Sequence, residues 1–282
     1  MRLALTVALV MIAFAANSVL NRLALDGGWA GPGAFAAVRL ASGATVLSLL
    51  VRLSGRRMPW APAGRRAAGA ATLAVYVLGF SFAYLTLAAG TGALILFGGV
   101  QVTMFAGALI GGERPSSARW AGAALAAAGV AWLCWPAGGT APDPLGAALM
   151  GAAAVGWGLY SLLGRRAGDP LGNTAANFAV AAPAGLVAWA VARDGMAAEG
   201  LALAVLSGAV TSGLGYALWY RVLPALATSA AALAQLTVPV IAQAGGALLL
   251  GEALTGRFAV AAALVAAGVI VGSMRQGPGR GR

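Results

Sequence analysis

The sequence GGERPSSARWAGAALAAAGV at residues 111–130 returns as LGEALTGRFAVAAALVAAGV at residues 250–269. Over an alignment of nineteen residues the copies are identical at nine positions, including the opening Gly-Glu and the closing Gly-Val. Alanine-rich helices often agree by chance, but a shared Gly-Glu entry at a fixed distance from Gly-Val is harder to obtain that way. The chain therefore contains an internal repeat.

The hydropathy of the chain predicts an all-α membrane protein. Charged residues make up 9% and apolar residues 61% of the sequence, whereas soluble domains carry about 25% charge. Cutting at charges and turn residues leaves ten apolar stretches of about the length that crosses a bilayer. They are 3–21, 31–51, 67–87, 91–110, 117–135, 145–163, 171–192, 200–219, 226–249 and 258–274. Backbone groups in lipid must be bonded within their own segment, and no β-barrel alternation is present, so the stretches are predicted to be helices.

The basic residues predict the orientation of these helices. All eighteen are arginines, and the net charge is +11. If the N-terminus is cytoplasmic, fourteen arginines fall on the cytoplasmic side, three fall outside, and Arg39 lies within a span. The positive-inside rule then places both termini in the cytoplasm of a multi-pass protein of the bacterial inner membrane. The charge orients the protein in the lipid bilayer, and we expect no nucleic-acid partner.

A second internal sequence match divides the chain into two halves. Residues 13–24 match residues 156–167 at five positions, including Phe14/Trp157 and Arg22/Arg165. The N-terminal segment imitates a secretory signal, but a cleaved signal would have no reason to match an internal helix. Helix 1 thus corresponds to helix 6, and helix 5 to helix 10. We expect two five-helix repeats, residues 1–137 and 138–282, inverted relative to each other because five is odd. This is a transporter layout.

At this point the chain resembles the EamA-type drug/metabolite transporters over essentially its whole length. The residues that carry the resemblance are Gly112, Glu113, Pro115 and Ser116 at the entry to helix 5, Gly251, Glu252 and Thr255 at the entry to helix 10, Arg39 in helix 2, and Tyr84 at the end of helix 3. Length and aromatic placement are most similar to the YddG-type aromatic amino-acid exporters of bacteria. The resemblance implies a central cavity lined by helices 1, 3, 4, 6, 8 and 9.

Uncharged polar residues at membrane depth are the first candidates for substrate contact, because such residues usually face the bundle interior. Amides both donate and accept hydrogen bonds, which suits a ligand that carries ammonium and carboxylate groups. Bonding between neighbouring helices is the alternative role. The candidates are Asn17, Gln101, Gln235 and Gln243.

Aromatic residues form the second set of candidates. Flat rings suit an amphipathic aromatic ligand through stacking and cation–π contact. Core packing and, near span ends, the interfacial aromatic belt are the alternatives. The candidates are Phe14, Phe80, Tyr84, Phe97, Trp157, Tyr160 and Tyr216.

Four further residues are predicted to have structural or gating roles. Arg39 lies about 12 Å into helix 2 at 1.5 Å per residue. It could hold a substrate carboxylate, but the resemblance places helix 2 outside the cavity wall, which favours a structural role. Glu113 and Glu252 lie near helix N-termini, where a carboxylate is favourable. Pro239 interrupts hydrogen bonding inside a span and predicts a kink or hinge there.

Residue types that the sequence lacks disfavour several classes of function. The chain has no His, no Lys and one Cys, and all seven acidic residues are expected at loops or helix ends. A catalytic site, a metal site and a cofactor are therefore not expected, and an intramembrane enzyme is disfavoured. Proton pumps usually need an intramembrane acid or His. The prediction is facilitated export of aromatic or neutral amino acids or similar metabolites by a monomer or weak homo-oligomer. Proton-coupled efflux of other metabolites or hydrophobic drugs is the alternative.

Overall fold

The hydrophobic stretches predicted from the sequence form helices. The computed structural model describes residues 2–58, 62–112, 114–136, 141–164, 169–226, 231 and 234–274. Within these ranges the chain forms ten helices: α1 Arg2–Asp26, α2 Pro32–Leu53, α3 Ala63–Ala83, α4 Ala89–Ile110, α5 Ser117–Cys134, α6 Pro144–Gly164, α7 Pro170–Ala192, α8 Ala198–Ala225, α9 Thr237–Leu250 and α10 Gly256–Ser273. Eight of them, all except α5 and α9, are long and apolar enough to cross a membrane. The predicted all-α membrane fold is confirmed.

Prolines and side-chain caps fix where several helices begin. Pro32 and Pro170 lie in the first turns of α2 and α7, where a missing N–H leaves no helical hydrogen bond unmade. Thr255 accepts a hydrogen bond from the Phe258 N–H at 3.1 Å and caps α10. The carboxylate of Glu252, three residues earlier, caps a different helix and is described below with the candidate site.

The two copies of the repeated sequence pack directly against each other as α5 and α10. A Cβ atom at Gly122 would lie closer than 3.0 Å to the backbone of Gly268 and Gly272, and one at Gly268 would meet the Gly122 carbonyl equally closely. Only glycine permits such an approach of two backbones. Elsewhere α2 packs on α7, α3 on α6 and α7, α1 on α8 and α9, and α4 on α5, α6 and α9.

Helix α8 changes its hydrogen-bonding pattern at mid-length. Ala198–Val205 and Gly215–Val222 are α-helical, whereas Leu206–Leu214 between them is a π-helix. Residues five apart, such as Ser207 and Ser212, lie about 140° apart around an α-helix. Hydrogen bonding from i to i+5 brings them towards one face. The π-segment therefore turns both hydroxyls towards the neighbouring α1.

Helix α9 is shorter than the predicted span 226–249. Leu236 forms a turn, and the helix begins at Thr237 with Pro239 in its first turn. Proline lacks an N–H and cannot bond to the preceding turn, so its position explains why the helix restarts here. Pro183, in contrast, lies inside the continuous helix α7.

Asp194 caps α2 from the other half of the chain. Its Oδ2 accepts a hydrogen bond from the Gly33 N–H at 2.7 Å, and its Oδ1 accepts one from the Ala34 N–H at 2.9 Å. We expect Asp194→Ala to lower the free energy of unfolding by about 1–2 kcal/mol, because two helix N–H groups lose their partner. Asp194→Asn keeps one acceptor and should retain most of the stability. Thermal unfolding in detergent measures both, and equal melting temperatures for wild type and Asp194→Ala would contradict the assignment.

Candidate functional site

A small cavity lies between the two halves of the bundle. Its volume is about 10 Å³, which is room for about one water molecule. Its wall comes from α1, α3, α4, α6 and α8. The lining residues are Phe14, Asn17, Ser18, Tyr76, Phe80, Leu96, Phe97, Trp157 and Tyr216. Six of these were singled out from the sequence as candidate site residues, and Ser18, Tyr76 and Leu96 were not.

Aromatic rings form a continuous network around this cavity. Trp157 lies 4.9 Å from Tyr76 and 5.2 Å from Tyr216 between ring centroids. Tyr216 in turn meets Phe14 edge to face at 5.7 Å, and Tyr76 meets Phe80 edge to face at 5.6 Å. Tilted and edge-to-face pairs are favourable ring arrangements. Residues from both halves of the chain thus build one wall lined by aromatic rings.

Asn17 is the main polar group of the wall, and its amide oxygen is bound by the π-segment of α8. It accepts hydrogen bonds from Ser207 Oγ at 2.8 Å, Thr211 Oγ1 at 2.5 Å and Ser212 Oγ at 3.3 Å. Asn17 therefore bonds neighbouring helices, which the sequence analysis gave as the alternative to substrate contact. The π-helix makes it possible, since it directs three hydroxyls to one acceptor.

Arg39 lies directly behind the cavity wall. Its side chain is 0% exposed. Its Nε donates to Ser212 Oγ at 3.2 Å, and its Nη2 donates to the Tyr76 hydroxyl at 2.9 Å. The guanidinium carbon lies 4.8 Å from the Phe80 ring centroid and 5.3 Å from that of Tyr76. Because both rings line the cavity, α2 reaches the site through this side chain although the resemblance placed helix 2 outside.

The remaining candidates lie away from the cavity wall. Tyr84 is fully buried at the end of α3, packs edge to face on Phe80 at 4.8 Å, and donates to the Ala89 carbonyl at 3.2 Å. Tyr160 stacks on Trp157 at 5.6 Å and is not part of the cavity lining. The three glutamines also lie outside the lining: Gln243 is buried against Gly90 of α4, and Gln101 and Gln235 are half-buried.

One end of the bundle is closed by an ionic cluster that we call the latch: Arg22, Asp26, Glu252 and the N–H of Ala89. Glu252 Oε1 and Oε2 accept hydrogen bonds from this N–H at 3.0 and 2.9 Å, and so cap α4. Arg22 Nη2 pairs with Asp26 at 2.8 Å, and its Nε lies 3.7 Å from Glu252. Arg22 Nη1 also donates to the carbonyls of Tyr84 and Leu85, both at 3.0 Å. The latch thus ties together the ends of α1, α3, α4 and α9.

The electrostatics of the latch centre on Glu252. Burial raises the pKa of this carboxyl above its ordinary value, and the Ala89 N–H and the Arg22 guanidinium oppose that shift. The sequence identified Glu252 as a capping or gating residue but did not identify Arg22. The available signal was the i,i+4 pair that Arg22 forms with Asp26 at the end of α1. Glu113, the counterpart of Glu252 in the repeat, lies outside the described residues.

At the opposite end of the bundle, hydrogen bonds from Arg66 join α3 to α7. Arg66 Nη1 of α3 donates to Asn177 Oδ1 of α7 at 2.8 Å and to Asn173 Oδ1 at 3.2 Å. At the latch end the first half of α4 is mostly buried, whereas residues 101–110 are half-buried or exposed. Helix α4 is therefore more deeply buried near the latch than towards the Arg66 end.

The acidic residues lie at the ends of the helices throughout the described part of the chain. Asp26 ends α1, Asp143 and Asp169 precede α6 and α7, Asp194 caps α2, and Glu199 lies in the first turn of α8. Among the described residues, no group of three or more His, Cys, Asp or Glu side chains could hold a metal ion. The groups that line the cavity are aromatic rings, one leucine, the amide of Asn17 and the hydroxyls of Ser18, Tyr76 and Tyr216.

Comparison with known proteins agrees with this architecture. The uncharacterized protein PA1977 of Pseudomonas aeruginosa is 47% identical over 270 residues, which cover 95% of this chain and 93% of that protein. A solved crystal structure matches with a TM-score of 0.65 at 22% identity, covers 93% of this chain and 95% of its own, and shows a common fold. The model of the EamA-like transporter family matches residues 144–274. The second half of the chain therefore contains an EamA-like transporter family domain.

Proposed function

We propose that the protein exports small amphipathic metabolites, with aromatic or neutral amino acids as the preferred class. The observation that carries this proposal is the wall of the central cavity, where Phe14, Tyr76, Phe80, Trp157 and Tyr216 surround the polar groups of Asn17 and Ser18. Ring faces favour an aromatic or apolar side chain, and the amide and hydroxyl groups suit its polar end. The match of residues 144–274 to a transporter family supports transport rather than catalysis.

The transport cycle that we propose is alternating access between two inverted repeats, residues 1–137 and 138–282. The packing of α5 against α10, the two copies of the repeated sequence, supports a pseudo-twofold relation. The latch would close the external end in a bacterial inner-membrane protein with both termini in the cytoplasm. This orientation places Ser54, at the end of α2, in the cytoplasm. A cysteine introduced there in a Cys134→Ala background should therefore resist a membrane-impermeant reagent in intact cells.

Transport is proposed to be facilitated rather than coupled to protons. The support is the position of the six described acidic residues at helix ends, since proton carriers usually lie at membrane depth. The test is a proteoliposome panel of aromatic amino acids, other amino acids and cationic dyes, each with and without a pH gradient. We expect aromatic amino acids to move down their gradient without a pH difference. Transport of dyes alone, or an absolute need for a proton gradient, would overturn the proposal in favour of proton-coupled efflux.

Trp157 is the ring whose loss should affect transport most within the cavity. It contacts Tyr76, Tyr160 and Tyr216, and each aromatic pair contributes about 0.5–1.5 kcal/mol. We expect Trp157→Ala to reduce phenylalanine transport by about tenfold or more and Trp157→Phe to restore much of it. Trp132→Ala is the matched control, because Trp132 on α5 is 49% exposed. Equal effects at both tryptophans would remove Trp157 from the site.

A further inference from the structure

Arg39 carries a buried charge for which the described residues provide no counter-ion. Its direct partners are the hydroxyls of Ser212 and Tyr76 and the rings of Tyr76 and Phe80, all of them neutral. The six described carboxylates lie at the ends of the helices. A charge taken out of water without an opposite charge is unfavourable by several kcal/mol. The fold maintains this arrangement beside the cavity.

The guanidinium also has an unused donor. Nη1 of Arg39 is buried and has no hydrogen-bond partner among the described residues. Most buried polar groups in native proteins are bonded, and an exception calls for a missing partner. A carboxylate would supply both the opposite charge and a charge-assisted hydrogen bond, and guanidinium groups bind carboxylates with particular geometric fit.

A second unpartnered group lies on α1, one turn beyond Asn17 of the cavity wall. Asn21 on α1 is 0% exposed, donates through Nδ2 to Ser81 Oγ at 3.0 Å, and leaves its buried Oδ1 without a partner among the described residues. Ser81 follows Phe80, the residue whose ring faces Arg39. Two adjacent residues of α3 thus contact the two side chains: the Phe80 ring faces Arg39, and Ser81 accepts from Asn21. One side chain has a free cationic donor and the other a free neutral acceptor. These are the complements of a carboxylate and an ammonium group.

We propose that Arg39 binds the carboxylate of the transported substrate and that Asn21 accepts a hydrogen bond from its ammonium group, which makes the site selective for zwitterions. This inference rests on the proposed function and specifies its substrate class. The rings of Tyr76 and Phe80 separate Arg39 from the cavity, so a carboxylate reaches Nη1 when these side chains shift. The aromatic cavity then holds the remainder of the substrate.

The test compares four ligands that differ only at their polar end: phenylalanine, phenylalaninamide, 3-phenylpropionate and phenethylamine. The primary measurement is the thermal stabilisation of the purified wild-type protein by each compound, followed by competition against labelled phenylalanine in proteoliposomes. We expect phenylalanine to bind best and the two compounds without a carboxylate to bind about tenfold or more weakly. Equal stabilisation by phenylalanine and phenylalaninamide would overturn the proposal.

Variants distinguish a role of Arg39 and Asn21 in ligand recognition from a purely structural role. Arg39→Gln should remove the preference for phenylalanine over phenylalaninamide, whereas Arg39→Lys should keep it in weaker form because the charge remains. Asn21→Leu should weaken phenylalanine and leave 3-phenylpropionate unaffected. Arg52→Gln, at an exposed position of the same helix, is the control for loss of one charge. A uniform reduction for all four ligands in Arg39→Gln would assign the residue a structural role and contradict the proposal.

If the proposed transport function is wrong, the experiments give a different result from that expected if only the role of Arg39 is wrong. A wild-type protein that does not transport phenylalanine contradicts amino-acid export, while the stabilisation series still reports whether a carboxylate is recognised. If Arg39→Gln does not fold, the wild-type ligand series and Arg39→Lys decide the question. Absence of any carboxylate-dependent stabilisation overturns the inference in either case.

Discussion

Replacing Gly208 by alanine is expected to destabilise the whole bundle. Gly208 lies in the π-segment of α8, where a Cβ atom would meet Ser42 Oγ and the carbonyl group of Arg39 closer than 3.0 Å. A backbone carbonyl cannot turn aside as a flexible side chain can, so α2 and α8 would have to separate. Overpacking of this kind lowers the free energy of unfolding by about 1–3 kcal/mol. Since Arg39 itself would move, ligand stabilisation should fall as well.

The control for this substitution is Gly151→Ala. Gly151 lies within α6, and a Cβ atom there would meet nothing within 4 Å. Alanine is favoured over glycine inside a helix by roughly 0.5–1 kcal/mol, so this variant should be neutral or slightly more stable. Melting temperatures in detergent, measured with the same protein preparation, compare the two. A Gly208→Ala protein as stable as Gly151→Ala would show that the α2–α8 contact tolerates separation.

The helices could be predicted because the thickness of a bilayer sets the length of an apolar run. The predicted stretch 67–87 differs from α3 by four residues at each end, since the sequence alone does not show where a helix leaves the membrane. The stretch 226–249 was predicted as one span, although Leu236 interrupts it before Pro239. The π-segment of α8 could not be foreseen, because its hydrogen bonding is favoured by contacts with Asn17 and Arg39 on other helices.

Aromatic residues deep within the predicted spans indicated the ring-lined wall. The sequence did not show in which direction the individual polar side chains point. These helices are apolar on all sides, so no hydrophobic periodicity indicates which face points inward. Gln243 therefore looked equivalent to Asn17 in sequence, yet it packs on Gly90 near the latch end. Arg39 was assigned from the position of its helix alone. A long side chain places its charge several ångströms from its own backbone, and that reach brings the Arg39 guanidinium against the rings of the cavity wall.

Replacing Glu252 by alanine is expected to open the latch end of the bundle. The substitution removes the acceptor of the Ala89 N–H and the carboxylate beside Arg22. Loss of a helix cap and of a charge-assisted hydrogen bond lowers the stability of the closed state by about 1–3 kcal/mol. The open population should therefore rise by about tenfold. Arg22 keeps its partner Asp26, so the end of α1 should stay folded when the latch opens.

Access to the cavity measures this opening. Ser18 lines the cavity, and in a Cys134→Ala background a Ser18→Cys substitution gives a single thiol, since the chain has one cysteine. The labelling rate by an impermeant maleimide is compared in intact cells and in inverted membrane vesicles. We expect Glu252→Ala to accelerate labelling from one face only, the outer face in the proposed orientation. Acceleration from both faces would indicate general loosening and would contradict a gating role.

The pH dependence of the latch follows from the raised pKa of Glu252. When the latch opens, the carboxyl returns to water and to its ordinary pKa, so the closed state holds the proton more tightly than the open state. Stability of the closed state therefore increases as the pH falls through the raised pKa towards the ordinary value of 4.5.

Labelling of Ser18→Cys from the latch side should slow over this window. Glu252→Gln, which is always neutral and keeps one acceptor for the Ala89 N–H, should label slowly at neutral pH and show no such dependence. If Glu252→Gln labels as fast as Glu252→Ala, the negative charge rather than the cap holds the latch, and the predicted direction of the pH effect is wrong.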